Sequence, residues 1–298
     1  MLVLLAPAVL RAFYLGSSAL AVPALQSRFL DYGSRATAPP SGQHHGAARD
    51  ASPLGQTLDS LARVRVPHNY FTHFYVLSVL CSAYWGWHLW RTAGFSMLHV
   101  SWTARQVQVA WLLMLLQGVR RLLESYAYTS TSTSGMWFGH WILGLLFYLA
   151  TNVAIWVEGA SSLTGRDRLD GAAFEQEEGF QWKLAVLPPA ILTCHALQHS
   201  YHAYLYRLRT EHSTYQLPSH PMFPNLLCPH YTCETIIYLL LSFLAAPDGR
   251  FVNWTLASAT VFVGVNLGVT AVGTKAWYEQ RFGVDKVKQR RRMVPCVW

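Results

Sequence analysis

The sequence predicts an all-α integral membrane protein with seven transmembrane helices, its N-terminus lumenal and its C-terminus cytosolic. Hydrophobic residues make up 52% of the 298 residues and charged residues only 13%, whereas about a quarter of a soluble domain is charged. Apolar stretches close to the roughly 20 residues that span a bilayer recur along the chain. The 12 Trp and 15 Tyr residues suit aromatic belts at the membrane interfaces.

Seven apolar segments define the predicted spans, which cover residues 2–25, 71–90, 97–117, 137–157, 183–204, 234–246 and 254–273. In the first, Ala19-Leu20-Ala21 has the form of a signal-peptide cleavage site, but no Lys or Arg precedes the apolar run. We therefore interpret it as a retained span. The third carries Arg105 and Gln106, which indicates a helix that is tilted, interfacial or turned toward the interior.

The chain divides into residues 1–25 (the first span), 26–65 and 66–298. Segment 26–65 is rich in Ser, Gly, Ala and Pro, which predicts a flexible cytosolic loop. Its Gln43-His44-His45 run is more typical of a solvated loop than of a metal site. The five Cys residues, at positions 81, 194, 228, 233 and 296, show no CxxC and no metal-ligand spacing. We predict buried free thiols and no bound metal.

Basic residues predict the orientation of the spans, because short cytosolic loops carry an excess of Lys and Arg. The loops after spans one, three and five, with the C-terminal tail, hold sixteen Lys and Arg residues, and the other side holds five. The net charge of +8 therefore does not indicate a nucleic-acid partner. The tail 286–292 fits the anionic headgroups of the bilayer's cytosolic leaflet.

Polar side chains cluster at the predicted cytosolic ends of the spans. Arg121 and Glu124 share a helical face after span three. His195, His199 and His202 form a stripe in span five that continues to Arg209. Three stacked His residues suggest a metal site, but this helix supplies no carboxylate to support the ligands. A stripe that ends in arginine better fits phosphates and sugars, because the guanidinium matches phosphate oxygens.

Two further segments carry ionisable groups into apolar surroundings, where such groups are costly and tend to mark sites. Pro229-His230-Tyr231 leads to Glu234 at the start of span six, where a carboxylate either complements the helix dipole or contacts a ligand or an Arg. His73 lies within an aromatic, apolar helix, as a satisfied core residue or as a proton donor to a bound carbonyl. The chain contains neither a Walker loop nor a GxGxxG after a strand, which excludes a Rossmann site.

Taken in order, these motifs resemble the steroid 5-alpha-reductase family, and within it the polyprenol reductase branch. The resemblance covers residues 66 to 298. It rests on short motifs in a specific order: Val66-Pro67 with Tyr70-Phe71-Thr72-His73-Phe74-Tyr75, Arg120-Arg121-Leu122 with Glu124, His202 with Leu208-Arg209, Tyr215-Gln216-Leu217-Pro218, Pro229-His230-Tyr231 with Glu234, and Trp277-Tyr278 before a basic tail.

The resemblance implies a multi-pass enzyme of the endoplasmic reticulum membrane that uses NADPH from the cytosolic side. By position, the cofactor-binding residues would be Arg121, Gln198, His202, Arg209, Tyr215, His230, Glu234, Lys275 and Tyr278. The catalytic residues would be His73, Tyr75 and Glu124. Steroid reductases carry a Gln-Glu pair where this chain has His73-Phe74, a Tyr where it has Gly118 and an Asn where it has His230. These departures fit the polyprenol branch and a long-chain polyisoprenoid substrate.

The expected reaction is the reduction of the α-isoprene double bond, on the way from polyprenol to dolichol for N-glycosylation. A hydride needs an electron-poor carbon, so we expect the direct acceptor to be the unsaturated aldehyde, polyprenal, with His73 and Tyr75 donating to its oxygen. Three alternatives remain open: a 3-oxo-steroid reductase of the same family, an isoprenylcysteine-type methyltransferase and a non-catalytic lipid transporter. Binding of NADPH would indicate a reductase, and binding of S-adenosylmethionine would indicate a methyltransferase. Binding of neither would indicate a lipid transporter.

Overall fold

The computed structural model describes residues 2–21, 56, 60–61, 63–93, 102–128, 135–159 and 182–295. Over these residues the protein is predominantly helical, as predicted. The helices are α1 (Leu2–Ser17), α2 (Phe71–Ala93), α3 (Trp102–Ala127), α4 (Phe138–Val157), α5 (Trp182–Thr210), α6 (Pro229–Leu244), α7 (Trp254–Phe282) and the short α8 (Val284–Val287), with 3-10 turns at Ser18–Ala21 and His68–Tyr70.

The long helices α1 to α7 each overlap one of the apolar segments of the sequence. Two of them, α4 and α7, are long and apolar enough to cross a membrane. The predicted flexible loop lies almost entirely outside the described residues. The same holds for the acidic stretch between α4 and α5.

The helix boundaries follow local chemistry at the ends that matter for the site. Helix α6 begins at Pro229, whose missing N–H is tolerated in a first turn. Helix α7 begins after Asn253, whose side-chain oxygen accepts from the backbone N–H of Leu256 at 3.0 Å. It ends before Gly283, whose φ of 90° suits a residue without a Cβ. The chain then turns directly into α8 and the tail.

The core is a stack of rings contributed by separate helices. Helix α6 packs between α5 and α7, α2 packs on α3 and α4, and α1 covers α4 and α7. The Phe147 ring of α4 lies 5.2 Å from Phe262 of α7, 5.6 Å from Tyr238 of α6 and 5.9 Å from Tyr14 of α1. Such tilted and edge-on pairs are favoured ring geometries. This stack forms the floor beneath the candidate site.

A two-stranded ribbon ties the start of α2 to the start of α4. Strand β1 (Arg65–Pro67) pairs antiparallel with β2 (Gly135–Trp137), and the N–H of Phe138 donates to the carbonyl of Val64 at 2.9 Å. The first turns of the two helices are thereby held together. A Cβ on Gly144 would lie 2.5 Å from the Phe74 ring, so only glycine lets these helices approach this closely.

The C-terminal tail docks against the segment that leads into α6. Leu227 and Cys228 donate their N–H groups to the carbonyls of Arg291 and Arg292 at 3.0 and 2.9 Å. The Thr232 hydroxyl donates to the carbonyl of Met293. The tail therefore supports the first turn of α6, which carries His230 and is followed one turn later by Glu234.

Candidate active site

A cavity of about 800 Å³, counted with its open mouth, lies between α2, α3, α4, α5, α6 and α7. One part of its wall is apolar and the other polar. The apolar part includes Phe71, Phe74, Leu143, Phe147, Phe262, Val263 and Leu267; the polar part includes Tyr75, Arg121, His140, Tyr148, Gln198, His202, His230, Tyr231, Glu234 and Asn266. The cavity therefore combines space for an apolar guest with groups that bind charge and move protons.

Glu124, near the end of α3, organises the polar wall from behind. Its side chain is 4% exposed. It accepts from Arg120 at 2.5 Å and from Arg121 at 2.6 Å, one turn earlier on α3. It also meets the Nδ1 atoms of His199 and His202 on α5 at 2.8 and 2.7 Å. A single carboxylate thus fixes two arginines and two histidines.

Glu124 remains ionised because these partners outweigh its burial. Burial by itself would raise the pKa of Glu124, but the hydrogen bond with His202 and the charges of Arg121 and Arg120 hold it well below its usual value. An ionised carboxylate only accepts hydrogen bonds, so Nδ1 of His202 carries the proton that faces Glu124. Nη1 of Arg121, which lies 2.9 Å from the same Nδ1, then donates to Glu124 instead, at 2.6 Å. In the neutral ring, Nε2 is then the acceptor. Glu124 therefore sets both the orientation and the tautomer of His202.

Arg121 joins the Glu124 cluster to a phenol on α2. Its Nη2 lies 2.6 Å from the Tyr75 hydroxyl oxygen, and the guanidinium carbon lies 4.8 Å from the ring centroid. A guanidinium has no acceptor, so the Tyr75 oxygen accepts here. The phenolic O–H proton must then point away from Arg121 and is free for a ligand.

A pair of glutamines extends the network to Glu234 on α6. Gln117 and Gln198 both donate amide protons to Glu234, the first at 2.9 Å. Their carbonyl oxygens accept from Arg120, that of Gln117 at 2.6 Å. The carboxylate of Glu234 is thereby held at the cavity edge and linked to Arg120 through two amides.

His230 supplies a buried polar atom that lacks a partner in the described part of the chain. Its ring stacks on Tyr201 at 5.2 Å between centroids, with 15° between the planes. Its Nδ1 is buried and makes no hydrogen bond. Burial, followed by the charges of His202 and Arg121, holds the pKa of His230 well below its usual value, so the ring is neutral. A cavity-lining histidine in this state is ready to pair with a ligand.

A second cationic cluster lies outside the cavity wall. The guanidinium carbons of Arg209 and Arg281 lie 4.6 and 5.1 Å from the Tyr215 ring centroid, and that of Arg281 lies 5.8 Å from Trp277. Neither guanidinium forms an ion pair or a hydrogen bond with any residue that the structure describes. Two uncompensated cations on an aromatic platform fit a phosphate next to a flat ring.

This cationic cluster connects to the cavity through packed aromatic rings. Tyr215 meets Trp277 at 5.1 Å between centroids, and Trp277 meets Tyr278 at 5.0 Å. Tyr278 packs on the small core of Leu227 and Cys228, which the cavity-lining Tyr231 and Leu267 also contact. Packed side chains thus link the cationic cluster to the cavity wall.

Most of the site residues predicted from the sequence come together here. Tyr75, Arg121, Gln198, His202, His230 and Glu234 line the cavity, with Glu124 directly behind them. Arg209 and Tyr215 form the outer cluster, and Tyr278 packs beside it. Lys275 is engaged elsewhere, because its Nζ donates to the carbonyls of Arg290 and Lys288 at 2.8 and 3.3 Å. In this structure it anchors the tail.

The structure places His73 outside the cavity wall. Its side chain is exposed and packs on Tyr70 and Trp141, with ring centroids 4.5 and 6.0 Å away. His73 is not among the cavity-lining residues, whereas Tyr75 is. Side chains two positions apart in an α-helix point in directions that differ by about 200° around the helix axis. His73 and Tyr75 therefore cannot both face the same cavity.

Several residues of the site were not among the predicted catalytic or cofactor-binding residues, although His199 was recognised as part of the histidine stripe. Arg120, Gln117 and His199 belong to the Glu124 and Glu234 network, Tyr148 lines the cavity, and Arg281 completes the outer cluster. Arg120 and Arg281 had a detectable signal, since they stand beside Arg121 and four residues after Trp277. Tyr148 had none, because a single Tyr in an apolar span is ordinary packing.

The histidine stripe of α5 is divided between different environments. His199 and His202 both meet Glu124, while His195 is buried with neither ring nitrogen bonded to another described residue. Within the described ranges no group of three or more His, Cys, Asp or Glu side chains is arranged to hold a metal ion. The partners of His199 and His202 are thus a carboxylate and, for His202, a neighbouring arginine.

Comparison with known proteins agrees with the predicted resemblance. Residues 169–298 match the family model described as 3-oxo-5-alpha-steroid 4-dehydrogenase. Polyprenal reductase 1 of Oryza sativa subsp. indica is 27% identical over 293 residues, covering 80% of this chain and 81% of that protein.

Relatives from other lineages carry the same description. Polyprenal reductase 1 of Arabidopsis thaliana is 26% identical over 260 residues, covering 75% of this chain and 79% of that protein. Polyprenal reductase of Saccharomyces cerevisiae is 26% identical over 241 residues, covering 78% and 76%. No solved structure matches this chain. The resemblance to the steroid 5-alpha-reductase family and its polyprenal reductases is confirmed.

Proposed function

We propose that this chain, a relative of the steroid 5-alpha-reductases and an oxidoreductase acting on a CH–CH group, reduces the α,β double bond of a long-chain polyprenal with NADPH. The product is dolichal, on the path from polyprenol to the dolichol used in N-glycosylation. The observation that carries the proposal is the Arg121–Tyr75 pair, which presents a phenolic proton to a cavity with an apolar wall.

The aldehyde is the reacting form because of the polarity of the double bond. A hydride is a nucleophile, and the double bond of an allylic alcohol is not electron-poor. Conjugation with a carbonyl makes the β-carbon electrophilic, since charge moves onto the oxygen as the new C–H bond forms. A donor placed at that oxygen stabilises the developing enolate.

Tyr75 is that donor, and Arg121 strengthens it. Because Arg121 donates to the Tyr75 oxygen at 2.6 Å, the phenolic proton is left for the substrate carbonyl, and the adjacent positive charge favours negative charge there. Glu124 acts through these groups by fixing Arg121 and the tautomer of His202. His73, exposed on the other side of α2, has no part in this step.

The residues on α5, α6 and α7 fit a dinucleotide. His230 offers an unpartnered buried nitrogen, and Gln198, His202 and Glu234 stand beside it on the cavity wall. Arg209, Arg281 and Tyr215 would hold the phosphate and adenosine end, with Tyr278 along the connecting path. When bound, NADPH supplies the hydride; the chain binds, orients and stabilises charge.

We further propose that the chain is a multi-pass protein of the endoplasmic reticulum membrane with seven spans, a lumenal N-terminus and a cytosolic C-terminus. The apolar helices α4 and α7 support this. So does the outer face of α2, where Leu80, Tyr84, Trp87 and Trp90 are exposed. Large exposed apolar faces are rare on soluble proteins. The isoprenoid tail of the substrate would leave the cavity between such helices.

The decisive experiment uses purified full-length protein in detergent or nanodiscs. Fluorescence titration should show binding of NADPH and none of S-adenosylmethionine. Turnover should then be measured with polyprenal, with polyprenol and with a steroid enone in competition. We expect reduction of polyprenal and none of polyprenol without an added oxidant.

Each alternative outcome points to a different class of protein. Preferred turnover of the steroid enone would make the chain a steroid reductase. Binding of S-adenosylmethionine alone would indicate a methyltransferase, and binding of neither nucleotide would indicate a lipid transporter. Turnover of polyprenol by itself would overturn the argument for the aldehyde.

A further inference from the structure

The cavity contains a second phenol, Tyr148 on α4, that the roles above leave unused. Its ring lies edge-on to Tyr75 at 5.7 Å between centroids and is stacked with Phe74 at 6.1 Å. It lines the same cavity. Its hydroxyl makes no hydrogen bond with any residue of the described chain. The O–H group is therefore available to whatever occupies the cavity.

Reduction of an unsaturated aldehyde needs two donors that do different work. Hydride addition at the β-carbon moves the double-bond electrons toward the carbonyl and leaves an enolate. The oxygen of that enolate needs a hydrogen bond, and its α-carbon needs a proton. These two atoms are joined through one carbon, so their donors must be close neighbours, as Tyr75 and Tyr148 are.

The charges near Tyr75 and Tyr148 determine which phenol donates to the enolate oxygen and which protonates the α-carbon. Negative charge collects on the enolate oxygen, so its donor belongs beside a cation. Tyr75 accepts from Arg121 at 2.6 Å and meets this condition. The hydroxyl of Tyr148 has no such partner, so its proton is the one left to transfer to carbon.

Two other ionisable groups of this wall, His202 and Glu234, are held by protein partners. Nδ1 of His202 faces Glu124, which leaves an acceptor at Nε2. The carboxyl oxygen of Glu234 accepts amide protons from Gln117 and Gln198. These contacts leave Tyr148 as the better-placed donor for the enolate carbon.

We propose that Tyr148 is the acid that protonates the α-carbon of the enolate. In this step the enolate C=C pair forms the new Cα–H bond, the Tyr148 O–H bond breaks, and its electrons stay on the phenolic oxygen. Water reprotonates the phenolate after the product leaves. The alkene is reduced and the nicotinamide is oxidised, so two electrons and two hydrogens balance. This inference rests on the proposed function.

The position of Tyr148 also sets the stereochemistry. It approaches from α4, which packs on α2, whereas His202, His230 and Glu234 stand on α5 and α6. With the nicotinamide held on α5 and α6, as proposed above, the proton and the hydride would reach opposite faces of the double bond. We expect trans addition in the wild-type protein.

The test is the Tyr148→Phe variant, run in D2O with the product trapped at once by borohydride. Wild type should place deuterium at the α-carbon in a single configuration, trans to the transferred hydride. The variant should bind NADPH as wild type does, lose about 10²-fold in turnover and give both α-configurations, because solvent then protonates either face.

The matched control is Tyr238→Phe, which removes a buried hydroxyl with no partner among the described residues at a position that does not line the cavity. Turnover and configuration should match wild type. Wild-type cis addition, or a Tyr148→Phe protein with wild-type turnover and a single configuration, would overturn the assignment while leaving the reductase proposal intact. Failure of the wild type to bind NADPH or reduce polyprenal would instead remove the proposed function, and this inference with it.

Discussion

Two carboxylates, the buried Glu124 and the partly buried Glu158, show how differently a charge can be used inside this bundle. Glu158 follows α4 directly and accepts from the backbone N–H groups of Trp254 and Thr255 at 3.2 and 2.7 Å. It also pairs with Arg11 of α1 at 2.7 Å. Glu124 has four side-chain partners from α3 and α5 instead.

The two carboxylates differ in the groups that they bind. Glu158 fills the donors at the start of α7, where a carboxylate is stabilised by the helix dipole. Beside it, Asn253 is fully buried and donates to the carbonyls of Ala154 and Ala245. Glu124 orders groups that face a cavity. Both are at least partly buried, so the kind of partner separates a structural charge from one that serves a site.

The largest effect is expected from Glu124→Gln. Arg120 and Arg121 lose their counter-charge in a buried setting, which costs about 3–5 kcal/mol of folding free energy. His202 also loses the charged acceptor that orients its ring, so turnover of polyprenal should fall about 10²-fold. Denaturant unfolding and turnover per folded molecule measure the two parts.

The exposed Glu211→Gln exchange is the control for Glu124→Gln and should change neither quantity. A Glu124→Gln protein with wild-type turnover would place Glu124 in the same structural class as Glu158.

Tyr75→Phe should have the second-largest effect on turnover. It tests the cavity-lining phenol that Arg121 connects to Glu124. Removing one donor to the developing oxyanion lowers turnover by about 10²–10³-fold. NADPH affinity should stay within about twofold, because the ring and Arg121 remain. Single-turnover kinetics and NADPH titration separate the two quantities.

His73→Phe, two residues earlier on the same helix, is the matched variant for Tyr75→Phe. We expect wild-type turnover because His73 is exposed outside the cavity. The reverse pattern, with His73→Phe damaging and Tyr75→Phe silent, would restore the role that the sequence alone predicts.

Arg281→Met should have an intermediate effect, on NADPH affinity. It compares Arg281 of the outer cationic cluster with Arg11, the partner of Glu158. Arg11 is paired with Glu158, whereas Arg281 lies over the rings of Tyr215 and Trp277 and forms no ion pair with a described residue. Losing a charge-assisted contact to phosphate should weaken NADPH binding about tenfold or more. NADPH titration at two salt concentrations measures this.

The control for Arg281→Met is Arg250→Met, an exposed arginine in the turn before α7, which should leave NADPH affinity unchanged. Equal losses in both variants would mean that Arg281 acts only through general charge.

The smallest effect is expected from Glu158→Gln, at about 1 kcal/mol of folding free energy with turnover per folded molecule unchanged. Burial would raise the pKa of Glu158, but hydrogen bonds from Thr255 and Arg11 hold it below its usual value. A lowered folded-state pKa means that the stabilisation is complete above the unfolded pKa, about 4.3. It is lost as the pH falls through the folded-state value.

The free energy of unfolding of wild type and Glu158→Gln, compared from pH 7 downward, should therefore converge in acid. A gap that persists or widens at low pH would contradict the capping role.

The sequence was sufficient for features that depend on periodicity and local order. The apolar segments predicted the positions of α1 to α7, and the order of short motifs predicted which polar residues of α3, α5 and α6 would meet. The motif that contains His73 did not show that this side chain is exposed, because a motif does not say which side of a helix faces a cavity. Tyr148 and Gln117 became visible only when helices distant in sequence were packed together.

Lys275 shows a similar limit. A cation at a cofactor-binding position of the family predicts a ligand contact, whereas its Nζ binds the carbonyls of Arg290 and Lys288. That outcome depends on the course of the tail after Gly283. Such a course is set by tertiary contacts and leaves no local pattern.

The docked tail has a practical consequence for genetics and for protein engineering. Arg291 and Arg292 hold the segment that leads into α6, so a premature stop codon before them should disturb the candidate site. Affinity tags and fluorescent reporters are better inserted away from residues 288–293.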